Sequence, residues 1–213
     1  MKIILPIILF VLISVNLLAD EYKVGDHELM LMPTAFTMPK GKSYFSDYEL
    51  VFLNLVHAPT NRMHLGFFTL FPITSTMLES FTVGIKQNYF KSGNVNLALW
   101  GTYTPRISGA TLGNVLSFGK PDKSIHLGLS FFGDVSKDLD PEFVYMVGAR
   151  YKKLIIEYTN VKTWADNDFD GIFTIGFRFG GDNICFEIGG FRPVQDLDIN
   201  IFLLPLLKGT VLF

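Results

Sequence analysis

Period-two alternation runs through almost the whole chain after its first twenty residues, and it leaves few folds open. Phe81, Val83 and Ile85 alternate with Thr82, Gly84 and Lys86; Ile125, Leu127, Leu129 and Phe131 alternate with His126, Gly128 and Ser130; Phe173, Ile175 and Phe177 alternate with Thr174, Gly176 and Arg178. Successive side chains on a strand point to opposite faces, so each stretch has one apolar face and one small or polar face. No stretch of the mature chain reads as a convincing amphipathic helix. The pattern predicts twelve strands, near 28–37, 43–57, 62–72, 80–90, 95–105, 111–118, 124–133, 142–151, 154–162, 171–180, 183–192 and 198–213, with ten as the fallback count.

The connections alternate too. "APTN", "KSGN", "KPDK", "KK" and "GGDN" are short and rich in residues that make tight hairpins. The connections between them are mostly longer, as in "ITSTMLES", "DVSKDLDPE" and "KTWADNDFD". Short turns at one end and longer loops at the other are the layout of an outer-membrane barrel. Hydrophobic residues make up 49% of the 213 and charged residues only 18%, below the roughly 25% of a soluble globular protein. The formal net charge of -2 gives no case for nucleic acid as a partner.

The amino terminus, "MKIILPIILFVLISVNLLAD", has one positive charge, an apolar run and Ala19 before Asp20. It reads as a secretory signal peptide over residues 1–19, with an uncleaved anchor as the alternative. Residues 20–213 then form the barrel domain. Cys185 is the sole cysteine, so neither an intramolecular disulfide nor a cysteine-based metal site is available.

The chain ends "LKGTVLF", with Phe213 last and Val211, Leu207, Leu203, Ile201 and Ile199 on its face. This resembles the carboxy-terminal signature of bacterial outer-membrane β-barrel proteins, although Gly209 and Pro205 interrupt the series. The resemblance implies an all-β fold, an antiparallel up-and-down transmembrane barrel. It also implies a porin-like envelope protein in contact with outer-membrane lipid and recognised by the barrel-insertion machinery through Phe213. The resemblance does not single out a subfamily.

A soluble barrel of the lipocalin kind shows the same alternation with apolar residues inside. Here the polar face is rich in Gly, Ala, Ser, Thr and Asn, which suits a lumen, and Tyr44, Tyr48, Tyr89, Phe90, Tyr103, Tyr151 and Tyr158 collect near strand ends as aromatic girdles do. Parity then assigns Asp47, Glu49, Lys86, Asn88, Asn96, His126, Arg150, Glu157, Arg178, Glu187 and Lys208 to the lumen. Acids and bases nearly balance, so these groups either pair across a narrow interior or line a pathway for small hydrophilic solutes. The leading expectation is a small passive channel or transporter, and the alternative is a non-conducting barrel with an ion-paired lumen. No long loop is expected to plug it.

"DNDFDG" places Asp166, Asp168 and Asp170 in the pattern of half an EF-hand loop, but Phe177 stands where the bidentate Glu belongs. A weak calcium contact there is the only cofactor expectation. His126 and Ser130 lie four apart on one strand, about 13 Å, too far for a nucleophile and its base. A lipid-modifying enzyme is the least favoured reading, and no catalytic residue is assigned.

Overall fold

The computed structural model describes residues 22–70, 79–135, 142–160, 171–194 and 203–213. Twelve antiparallel strands close into one up-and-down barrel: β1 (Ser43–Tyr48), β2 (Phe52–Thr60), β3 (Met63–Leu70), β4 (Thr82–Ser92), β5 (Val95–Thr104), β6 (Gly109–Lys120), β7 (Lys123–Asp134), β8 (Glu142–Tyr151), β9 (Leu154–Thr159), β10 (Ile172–Gly180), β11 (Ile184–Pro193) and β12 (Leu204–Leu212). Each strand pairs with its chain neighbours, and β1 closes on β12 with Phe45 opposite Val211. Phe213 completes the seam: its N–H donates to the Ser43 carbonyl and the Ser43 N–H donates to its carbonyl, both at 2.8 Å. Full closure leaves no strand edge to aggregate.

The count of twelve is right, but two of the strands are not those expected. Residues 28–37 are no barrel strand. The chain from Tyr22 to Met38 runs inside the barrel, where Leu29, Met30, Met32 and Met38 are fully buried. The absence of a plug expected from loop lengths is therefore corrected: the plug precedes β1. The twelfth strand comes from splitting 43–57. A three-residue turn, Glu49–Val51, separates β1 from β2 and is closed by the Val51 N–H donating to the Tyr48 carbonyl at 3.0 Å. Glu49 and Leu50 adopt φ of 57° and 58° there, a region usually taken by Gly, Asn or Asp.

The sense of the alternation is apolar outward. Leu127, Leu129 and Phe131 on β7 are 49%, 55% and 42% exposed, while His126 and Ser130 between them are buried. The same holds for Val83 and Ile85 against Lys86, and for Phe186 and Ile188 against Glu187. Gln87 and Asn114, on the outward side by parity, each find a hydrogen-bond partner. Gln87 donates to the Asn88 carbonyl, and Asn114 donates to the Tyr89 hydroxyl at 2.8 Å. Tyr89 reaches it from a β-bulge between Asn88 and Phe90. Tyr44 and Tyr48 are not girdle residues: they project into the lumen, where Tyr44 stacks on His27 at 3.9 Å and Tyr48 donates to Glu28 at 2.9 Å.

Candidate functional site

An irregular segment inside a lumen carries backbone groups that no strand pairs, and leaving them unmet is costly. The inward polar side chains meet them. Lys86 on β4 donates to the carbonyls of His27, Thr34 and Phe36 at 2.8, 3.1 and 2.9 Å. An ammonium has three donors and no acceptor, so three carbonyls saturate it. Asn88, two residues on, donates to the Ala35 carbonyl at 2.7 Å. Glu157 on β9 does the converse, accepting the N–H groups of Leu31 and Met32 at 2.8 and 3.2 Å. Ser117 accepts from Ala35, and His64 Nε2 accepts from Met38, both at 2.7 Å.

Opposite Lys86 lies an ionic cluster. Arg178 on β10 donates to the Glu187 carboxylate and to the carbonyls of Glu28 and Leu29. Lys208 on β12 pairs with Glu28 at 2.7 Å and Glu187 at 3.2 Å, and sits 4.8 Å from the centroid of the Tyr48 ring. Arg150 on β8 pairs with Asp26 at 2.7 Å. Glu187 and Lys208 are 0% and 1% exposed. At such burial a lone charge would be prohibitive, and only reciprocal pairing with further hydrogen bonds makes it tolerable. On the plug itself, burial pushes the His27 imidazole down to about 4 and the Asp26 carboxyl up. Burial also acts to raise Glu28, but Lys208 and His27 beside it outweigh that and hold the carboxyl well below its usual range.

Nine of the eleven residues assigned to the lumen therefore reach it or the plug: Lys86, Asn88, Asn96, His126, Arg150, Glu157, Arg178, Glu187 and Lys208. Two do not. Asp47 shares the outward side of β1 with Phe45, because Ser46 between them is the buried, inward residue. Glu49 lies in the turn, where its carboxylate accepts the Leu207 N–H. The unrecognised break after Tyr48 accounts for Glu49 alone; Asp47 precedes it and shares the parity of the outward Phe45.

His126 bonds Ser117 at 2.7 Å and Ser124 at 2.9 Å rather than Ser130. His126 and Ser117 are fully buried, and Ser117 is also tied to the plug. Nothing in this geometry gives a substrate access. Asp166, Asp168 and Asp170 lie outside the described residues. Among the described residues no group of three metal-ligating side chains comes together.

The lumen is divided along its length. Arg150, Arg178 and Glu187 lie toward the short-turn end, and Lys86 and Lys208 stand near mid-strand. Toward the other end the inward positions are Trp100, Phe132, Val144, Thr111 and Thr174, and the strands enclose two adjoining cavities of about 590 and 660 Å³. Both cavities touch Pro33, Trp100, Thr111 and Phe132. Sequence reasoning missed this vestibule. The available signal was the position of each inward aromatic relative to its strand's loop end.

No family model, no curated protein and no solved structure matches the chain.

Proposed function

We propose that this is an outer-membrane β-barrel, exported by a cleaved signal peptide, whose resting state is non-conducting. The observation that carries the reading is the lumen occluded by residues 22–38 and tied there by Lys86, Glu157, Arg178 and Lys208. This is the ion-paired alternative, with the plug as the partner of the charges. The barrel supplies a scaffold in lipid, and its solvent-facing function lies at the loop end. Phe213, exposed on the outward face and locked into the seam, is the residue we propose the insertion machinery reads.

Planar-bilayer recording tests the closed state. Purified, folded protein is expected to give no discrete current steps, and regular steps from the unmodified chain would restore the passive-channel reading. Conduction has one structural argument in its favour: displacing the plug would leave a twelve-stranded lumen lined by polar side chains, wider than an eight-stranded one.

Membrane residence has its own test. Leu129 lies mid-strand on the outward face and is 55% exposed. Leu129→Arg is expected to destabilise the lipid-embedded barrel by about 2–4 kcal/mol. A surface change on a soluble barrel stays within about 0.5 kcal/mol. Urea titration in lipid vesicles separates the two, and an unchanged midpoint would argue against a lipid-facing belt.

A further inference from the structure

We propose that the loop-end vestibule is a binding site for a small uncharged molecule with an aromatic or branched apolar body and one or two hydrogen-bonding groups. This goes beyond the closed-barrel reading, because binding is measured whether or not the barrel conducts.

A water-filled lumen would favour polar side chains at inward positions. In the loop half the inward positions set Trp100 on β5 and Phe132 on β7 among hydroxyls such as Thr82, Thr102, Thr111 and Thr174, and the plug adds Leu31 and Pro33 as an apolar floor. Leu31 is 45% exposed and Phe132 37%. Leu31 tops the plug, and both residues line the cavity space, so their apolar surface is left facing the vestibule. Covering such surface is worth about 25 cal/mol per Å². Each cavity falls within the 300–1,000 Å³ typical of small-molecule sites, which pair apolar walls with a few placed polar groups. Those groups are hydroxyls: Thr111, Ser130, Thr159 and Thr174 line one cavity together.

That the ligand carries no negative charge follows from the cations nearby. Lys86 borders the second cavity, but its three donors are spent on plug carbonyls. The His27 ring bonds Tyr22 and Glu28, and His64 Nε2 accepts from Met38. No free cation among the described lining residues awaits an anion, while Glu142 stands in the lining of the first cavity.

The probe is N-phenyl-1-naphthylamine, neutral and aromatic, with 8-anilino-1-naphthalenesulfonate as its charged counterpart. Trp164→Phe leaves Trp100 as the sole indole of a chain with two. With that protein in lipid nanodiscs, the neutral probe is expected to quench Trp100 saturably at one site per barrel. The sulfonate is expected to bind at least tenfold more weakly. Thr111→Phe and, independently, Ser130→Phe fill the space and are each expected to weaken the neutral probe at least tenfold while the far-UV spectrum stays that of the parent. Quenching that only tracks the probe's partition into lipid, is unchanged by whichever variant keeps the parent spectrum, or favours the sulfonate would overturn the proposal.

Discussion

Lys208→Met is expected to lower the stability of the folded barrel by about 3–5 kcal/mol, the usual cost of removing one partner from a buried ion pair. Lys208 is the cation that Glu28 and Glu187 share. Without it, Glu187 keeps Arg178, but the Glu28 carboxylate is left with only its bonds to His27 and Tyr48. The damage extends to the plug, because Lys208 also donates to the carbonyls of Leu29 and Met30 at 3.2 and 3.4 Å. Cys185 provides the readout. It is 2% exposed and packs in one cluster with Val24 and Met38 of the plug. Maleimide is expected to spare Cys185 in the unaltered protein and to modify it at least tenfold faster in the variant. A Lys208→Met protein with an unchanged urea midpoint and a protected thiol would show that the cluster does not hold the plug. Lys208→Arg keeps the charge and is expected to recover part of the loss.

Lys86→Met is the second large effect. Methionine occupies similar space but leaves the carbonyls of His27, Thr34 and Phe36 without their shared donor. The His27 carbonyl keeps the Thr34 N–H at 3.1 Å, but the Thr34 and Phe36 carbonyls are orphaned, each at about 1–3 kcal/mol, reduced to the extent that water enters. The expected result is a loss of about 3 kcal/mol or more, with release of the plug around Phe36. Phe36 is 9% exposed, so chymotryptic cleavage after it is expected only once the segment leaves the lumen. Cleavage in Lys86→Met, and protection in the unaltered chain, would tie the lysine to plug retention. Equal protection in both would assign retention to the Arg178–Lys208 side alone.

The two variants probe the part of the molecule that the amino-acid pattern disclosed least. The barrel itself was legible because parity is a strong signal: one apolar face repeated through Val83, Ile85, Leu127 and Leu129 fits only a sheet with unlike sides. Lys86 fell on the inward face by the same rule. Its partners could not be read, because they are backbone carbonyls, and a sequence does not mark which carbonyls lack a strand. The plug had a faint mark of its own. In "LMLMP" both faces are apolar, whereas a barrel strand presents one small or polar face. A segment enclosed on all sides has no polar face to show.

The β1–β2 break was hidden for the opposite reason. Left-handed turn positions are normally announced by Gly, Asn or Asp, and here Glu49 and Leu50 hold them. The strain is local, and the Tyr48 carbonyl, the Leu207 N–H and the surrounding ladder hold the turn in place. The division of the lumen into a charged half and an aromatic half needed only strand direction, which the turn lengths already supplied. Phe132 stands near the loop end of its strand and Trp100 just past the middle of its own, while Arg178 and Glu187 stand toward the turn end. The vestibule was therefore within reach of the sequence, although its floor was not.

The seam between Ser43 and Phe213 has a consequence for assembly. Barrel closure joins the strand that directly follows the plug to the last strand made, and Leu29 meets Lys208 across 179 positions of chain. Contacts of such separation form late and slowly. Only Pro39 to Lys42 link the last fully buried plug residue, Met38, to β1, a leash of at most about 14 Å at full extension. The plug thus has no long tether by which to enter a finished cylinder from a distance. Its end stays beside the β1–β12 seam from the moment β1 joins the sheet.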